Sequence, residues 1–336
     1  MPARHSAGTG KFTIQKREKP IMMYLKTKPA WAQLFMFLGL AFGSFIILSM
    51  IGMLLLANIT GLNVLEMGDP SNWDYNNPAL LTFIRGMLLI QFLFLFIVPC
   101  FLFAYFADPK PAGYLGLRSA NPAFYILGAL VLIVAIPLVD WLGVFNHQLI
   151  PETTSLGRWM KASEEQAGQQ IAFMLKKNSI RDLLMNILFI AVFAGVGEEL
   201  FFRGILQRIF IRIFKNPWAG IIITAVIFSA IHLQFYGFIP RFILGVLLGL
   251  IYWYSGSLWP AIIAHFAYDA FAVILIYFNP SMIDQKATTL QLGNPVLMTL
   301  ISAALVVLLV YQMKKKSVAN YHTVYAADKI DDQNPF

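Results

Sequence analysis

Charge is what this 336-residue chain has least of: Asp, Glu, Lys and Arg make up 12% of it, where ordinary soluble domains carry about 25%. There is one cysteine, Cys100, inside an apolar run, so no intrachain disulfide can form. No GxSxG and no HExxH occurs, and no Ser or Cys stands at an obvious catalytic spacing from a histidine. The zincin helix and the common serine elbow are thereby excluded. Internal repeats and a stretch long and polar enough for a soluble domain are also missing. What the chain does have is 58% apolar residues and a mean hydropathy of +0.67. A water-soluble fold of this size would have to expose much of that surface, so the soluble class is ruled out, along with disordered and collagen-like ones. The net charge of +8 is not a nucleic-acid signal, because the basic residues flank apolar segments rather than forming a face. That pattern marks a membrane surface.

A transmembrane helix needs about 20 mostly apolar residues. Eight segments qualify: 33–57, 80–106, 121–143, 181–203, 217–234, 240–255, 258–278 and 293–312. The expected fold is therefore an all-α polytopic membrane protein of about eight spans. The first span starts late for a cleavable signal peptide and reads as retained. Arg4, Lys11, Lys16, Arg17, Lys19, Lys26 and Lys28 precede it, and the connection 59–79 has no Lys or Arg. Lys110 and Arg118, then Arg208, Arg212 and Lys215, then Lys314, Lys315, Lys316 and Lys329 fall on the same side as the first group. By the positive-inside rule that side, with both termini, is cytoplasmic. The connection 144–180 mixes Arg158, Lys161, Lys176 and Lys177 with Glu152, Glu164 and Glu165, and reads as a surface helix around 161–177. The domains expected are a basic tail 1–32, N-terminal helices 33–178, a core 179–275, a last span 276–312 and a tail 313–336. Basic tails and the lack of organelle signals suit a bacterial inner membrane.

A charge deep in a bilayer costs at least about 2.5–3.5 kcal/mol, so each one needs a reason. Arg85 and Asp140 lie near span ends, where snorkelling accounts for them. His5, His147 and His322 lie in tails or loops. Three places remain: Gly197-Glu198-Glu199-Leu200-Phe201-Phe202-Arg203, Phe228-Ser229-Ala230-Ile231-His232 and His265-Phe266-Ala267-Tyr268-Asp269. Glu199 and Arg203 stand four apart and can pair on one helix face, while Glu198 is turned about 100° away. His265 and Asp269 are also four apart, so the carboxylate can orient the imidazole. Counting about 1.5 Å per residue from a turn at Asn216-Pro217 puts Glu198 and His232 within about 3 Å of the same height. The same count sets His265 about 10 Å from the cytoplasmic end of its span, so the polar groups converge on the cytoplasmic half. Taken singly, a Glu–Arg pair or a membrane histidine is packing glue, Ser229 bonds the backbone, and Gly245 with Gly249 forms a helix contact. Five polar groups at one depth point instead to a site. A carboxylate with two imidazoles suits water activation, with the histidines holding the water or a metal.

These motifs resemble the CPBP family, which contains the type II CAAX prenyl endopeptidases and bacteriocin-processing or immunity membrane proteins. The family pattern EExxxR, FxxxH and HxxxN/D is matched by Glu198-Glu199-x-x-x-Arg203, Phe228-x-x-x-His232 and His265-x-x-x-Asp269, and the run Gly256 to Pro260 is similar as well. The resemblance covers about 180–275. It implies an intramembrane endopeptidase open to the cytoplasm. Glu198 would be its general base, with His232 positioning water and Glu199 and Arg203 holding the site. His265 would bind water or metal or stabilise the oxyanion. Asp269 replaces the asparagine usual in prenyl-processing members. An ionised aspartate only accepts hydrogen bonds, which favours a role in orienting His265 or ligating a metal. The implied cofactor is one divalent metal, zinc first, on Glu198, His232 and His265, with a metal-free glutamate mechanism left open. The implied partners are a peptide or lipidated protein substrate and the bilayer, without nucleic acid. A non-catalytic immunity or secretion scaffold is the alternative. A proton-coupled transporter fits less well, since paired broken helices are missing.

Overall fold

The computed structural model describes residues 20–176, 179–282 and 294–318, and among these every regular element is helical. The basic tail residues up to Lys19, Lys177, His322 and Lys329 lie outside the described residues. Ten helices build the bundle: α1 Ala30–Thr60, α2 Pro78–Ala107, α3 Pro122–Val134, α4 Ile136–Leu149, α5 Ser155–Leu175, α6 Ile180–Phe214, α7 Pro217–Ala230, α8 Phe238–Ser255, α9 Trp259–Phe278 and α10 Pro295–Lys316. Four of them start on the same local signal. Asn77, Asn121, Asn216 and Asn294 each cap the following helix by accepting from its first backbone N–H groups, and proline occupies the first turn. Proline suits that turn because its missing N–H is one the helix could not have paired. α6 ends on Lys215 in the left-handed region, φ 50°, which makes the turn at Asn216-Pro217.

Six helices are long and apolar enough to cross a membrane, and α3 with α4 makes a seventh if that pair, bent by 40°, counts as one span. The chain is an all-α polytopic membrane protein. Three expected spans are revised. The segment expected at 181–203 and the helical stretch 204–214 that follows it form one unbroken helix to Phe214, with π-turns over residues 199–207. The segment expected at 121–143 bends at Ala135 and runs on to Leu149. The segment expected at 217–234 is a 14-residue helix that stops at Ala230, short of a full crossing. The connecting helix starts at Ser155, earlier than 161, since Thr154 caps Gly157 N–H.

The two ends of the bundle differ in charge. At one end Arg212 donates to Gln33 (2.9 Å), Ser317 to the Tyr254 carbonyl (2.7 Å) and Arg118 to the Gly256 carbonyl (2.6 Å). The start of α1, the end of α10, the 108–118 connection and the α6–α7 tip therefore share this end, as the charge pattern required. It carries Lys110, Arg118, Arg212, Lys215 and Lys314 to Lys316, with Asp108 beside them. The opposite end holds the 61–77 connection, with Glu66, Asp69 and Asp74, and the mixed-charge α5. Tyr236 ties α5 down there by donating to Ile150 and Gly157 carbonyls at 3.0 and 3.3 Å. Arg85 does not snorkel as expected. It bonds Asn186 (3.0 Å) and lies 3.6 Å from Asp182, so it joins α2 to α6.

Gly195 sets the spacing of the core. A Cβ there would stand 3.0 Å from Phe266 N and 3.2 Å from Ile262 O. These are backbone atoms of α9, which cannot move aside without shifting the helix. The absent side chain is what lets α6 press against α9. Replacing Gly195 by Val is expected to lower stability by about 1–3 kcal/mol through overpacking, read from an unfolding titration in detergent micelles. Unchanged stability would mean the two helices are not held at this distance.

Candidate active site

Glu199 and Arg203 face the interior of α6 and are both fully buried. Arg203 donates to Glu199 Oε1 at 2.6 Å, and its other terminal nitrogen donates to the Gly245 carbonyl of α8 at 2.9 Å. The guanidinium also lies 4.8 Å over the Phe228 ring of α7. Gly245 can present its carbonyl because it packs directly on Ala225 and Phe228. His265 of α9 donates through Nδ1 to the same Glu199 oxygen at 2.8 Å. Its Nε2 lies 3.4 Å from Asp269 Oδ2 and 3.9 Å from Glu198 Oε2. One carboxylate thus ties α6, α8 and α9 together through two charged or polar neighbours.

His232 follows α7. Its Nδ1 donates to the Phe228 carbonyl at 2.7 Å. A carbonyl only accepts, so that nitrogen carries the hydrogen and Nε2 is left for another partner. The Phe228 ring stands beside both imidazoles, 5.1 Å from His232 and 6.3 Å from His265. Arg203, His232 and His265 therefore sit around Phe228, and Glu198, Glu199 and Asp269 lie within 3.9, 2.8 and 3.4 Å of His265. The expected Glu199–Arg203 and His265–Asp269 pairings form, Ser229 bonds a backbone carbonyl (Phe238, 2.6 Å), and Gly245 and Gly249 make helix contacts. Glu198 is the exception to the pairing: it makes no ion pair shorter than 3.9 Å among the described residues.

A zinc site needs three protein ligands about 2.0–2.2 Å from one centre. Among the described residues no three His, Cys, Asp or Glu side chains are so placed. Within the set read as ligands, His265 uses its Nδ1 on Glu199 and His232 uses its Nδ1 on Phe228, which leaves both Nε2 atoms for a water or a metal.

Exposure at the site is one-sided, and the partly exposed side is its mouth. Below the site, toward the basic end, residues 199–211 of α6 and 247–252 of α8 are buried without interruption. Leu115, Ile205 and Leu258 form a floor with no exposure, and Arg208, expected to lie in water, is instead buried against the Tyr114 ring, 3.6 Å from its centroid. On the other side Glu198 and Asp269 are 17% and 23% exposed. From there a row of polar groups runs toward the mixed-charge end. Arg241, at the start of α8, is within electrostatic reach of Glu198 and lies 3.7 Å from Glu164 of α5. Burial raises the Glu164 carboxyl above its usual value, against the pull of Arg241 and His147. His147 in turn lies 3.2 Å from Glu152. His265 is about 10 Å from the α9 start and about 20 Å from the α9 end, so its depth in the helix agrees with expectation.

Arg241 and Glu164 were missed in the sequence, although a lone arginine among apolar residues was a usable signal. A cavity of about 570 Å³ beside the mouth was missed for a better reason. Trp159 of α5, Leu149 of α4, and Phe235 and Phe238 at the start of α8 line it, and these segments are far apart in the chain.

Residues 180–271 match the family model for Type II CAAX prenyl endopeptidase Rce1-like. That stretch bears out the resemblance read from the three motifs and coincides with the helices that carry the site. An uncharacterized protein of Bacillus subtilis (strain 168), YpbD, is 30% identical over 108 residues, 31% of this chain and 52% of that protein. The match thus spans about half the length of that relative. No solved structure matches the chain.

Removing one partner of a buried pair leaves an uncompensated charge. Arg203→Met is expected to destabilise the protein by about 3–5 kcal/mol, measured by unfolding in detergent. Adding Glu199→Gln to that variant is expected to restore part of the loss. If Arg203→Met alone were neutral, the pair would not be holding these helices.

Proposed function

We propose that this protein is an intramembrane endopeptidase that hydrolyses peptide bonds with water activated by Glu198. The observation that carries the reading is the division of labour between adjacent carboxylates. Glu199 is spent on Arg203 and His265, whereas Glu198 faces the mouth with no close partner. A base must be able to reach a water and a substrate, and only Glu198 of the two can. In the step proposed, the water oxygen attacks the scissile carbonyl carbon and its proton passes to Glu198. His232, through Nε2, orients the water. His265, fixed by Glu199 through Nδ1 and protonated on both ring nitrogens, turns its Nε2–H from Asp269 to the developing oxyanion. Collapse of the intermediate breaks the C–N bond, and Glu198 returns the proton to the leaving amine. Glu199, Arg203 and Asp269 are positioning residues that act through His265 and the helix contacts.

The substrates proposed are peptides of CAAX-like, lipidated or bacteriocin type. The 570 Å³ apolar cavity at the mouth supports this, since it can seat an apolar side chain or lipid tail of the substrate. A bacterial inner membrane is the setting that the basic tails favour.

Cleavage of quenched-fluorescent peptides, prenylated members included, by the purified and reconstituted protein tests the reading. Glu198→Gln is expected to reduce kcat by about 10²- to 10⁴-fold while the protein still folds. Retained activity would remove Glu198 as the base, and no cleavage by the unaltered protein across the library would favour a non-catalytic scaffold. A chelator arm separates the two mechanisms: inactivation restored by zinc makes it a metalloenzyme, and an unchanged rate supports the metal-free glutamate mechanism. Trp159→Ala is expected to raise KM several-fold with little change in kcat if the mouth cavity holds part of the substrate.

A further inference from the structure

We propose that Arg241 is a specificity residue that receives a carboxylate of the peptide substrate, so that the protein selects peptides with an acidic group beside a large apolar one. The cleavage step rests on the peptidase reading, while carboxylate binding by Arg241 stands without it. Arg241 lies near the start of α8, inside the apolar segment Phe235–Ser255, and its side chain is only 20% exposed, so snorkelling to water does not account for it. Two of its N–H groups are used, both on Gln234: one donates to the backbone carbonyl at 2.6 Å and one to the side-chain oxygen. Among the described residues no carboxylate oxygen comes nearer than that of Glu164, at 3.7 Å, which is too far for a hydrogen bond. Arg203, by contrast, donates to Glu199 at 2.6 Å. An arginine inside a span is costly unless compensated, so one left without a bonded anion points to an anion that visits. Its place is also kept clear. A Cβ on Gly237 would stand 2.7 Å from one terminal nitrogen of Arg241 and 2.9 Å from Cζ, so any side chain there would push the guanidinium aside.

Two neighbours say what kind of anion this is. Glu198 and His232 both lie within electrostatic reach of Arg241. His232 and Arg241 bound one short stretch of chain, residues 232–241, pinned to α7 where Ser229 donates to the Phe238 carbonyl at 2.6 Å. An anion held here is held beside the proposed base, which favours a substrate carboxylate over a lipid phosphate. The second neighbour is the apolar cavity. Phe235, Phe238 and Ile239 of the same stretch line it, and Trp159 of α5 closes on Phe235 with ring centroids 5.6 Å apart. Phe238 and Arg241 stand three apart, so they are neighbours on the helix surface. A ligand with its carboxylate on Arg241 thus has an apolar pocket next to it. An acidic side chain and a free C-terminus supply the same chemistry.

Binding of fluorescent peptides to the full-length protein in vesicles of uncharged lipid tests this, in the Glu198→Gln background so that nothing is cleaved. Three peptide sets share one apolar sequence with Glu, Gln or Lys placed at each position in turn, all amidated at the C-terminus. A fourth repeats the Gln set with a free C-terminus. The best Glu or free-terminus member is expected to bind about 10- to 100-fold tighter than its amidated Gln counterpart, the range of a charge-assisted hydrogen bond. Binding by the Glu set assigns the carboxylate to a side chain, and binding by the fourth set assigns it to the chain end. Arg241→Gln is expected to bring the ratio to about 1, and Arg241→Glu to shift the preference to Lys. If Arg241→Gln does not fold, Gly237→Ala decides, because it crowds the guanidinium and keeps the charge, and it is expected to lower the ratio. Equal binding of all sets, or a preference that survives these variants, overturns the proposal. So does a preference abolished by adding phosphatidylglycerol to the vesicles, which would give Arg241 to a lipid headgroup. Cleavage of the same peptides by the unaltered protein is expected to show the same ratio in kcat/KM. If carboxylate binding needs Arg241 but no peptide is cleaved, the peptidase reading fails while the carboxylate site stands.

Discussion

The buried Glu199–Arg203 pair is the constraint on which the rest of the site depends. Neither charge has any exposure, so each has to be compensated inside the bundle. Compensation comes from three other helices. Gly245 of α8 offers a carbonyl, Phe228 of α7 offers a ring face, and His265 of α9 offers a ring N–H. Helices in a membrane gain little from burying apolar surface against each other, so polar links and close backbone contact determine their arrangement. Here the polar link and the glycine contacts at Gly195 and Gly245 act at the same level. The same interactions that hold α6 to its neighbours also place the imidazole.

That arrangement separates two chemically identical neighbours. Glu198 and Glu199 differ by one helical step, about 100° of rotation. One points into the pairing network and is consumed by it. The other points to the cavity. A site that needs a fixed acceptor and a mobile base obtains both from consecutive residues, provided the helix holds its phase. The π-turns over 199–207 bear on this, since such widened turns shift the phase of the residues after them and are frequent at functional sites.

Burial at the basic end follows from packing rather than from composition. The tip of α6 and α7 is rich in arginine, yet Arg208 is buried against Tyr114 and helps to seal that end. The mixed-charge α5, whose sequence reads as an ordinary surface helix, meets α8 through Glu164 and Arg241, and the apolar cavity beside them draws its walls from α4, α5 and the start of α8.

Much of this was legible in the residues. Apolar runs are long enough to declare themselves, Asn-Pro pairs mark helix starts, and spacing by four predicts the Glu199–Arg203 and His265–Asp269 pairs, because all of these are local consequences of helix geometry. The three motifs and their common depth were legible for the same reason, since depth in a straight helix is a count of residues. What sequence could not supply was anything that compares distant segments. That Arg85 would meet Asp182 rather than water, that α7 would stop short of a crossing, and that Arg208 would be buried against Tyr114 all depend on which helix faces which. The residues by themselves determined a helical membrane protein with a carboxylate–imidazole cluster at mid-depth. Only the tertiary structure decided which carboxylate is paired and which is left without a close partner, because that is settled by contacts between elements that no local period encodes.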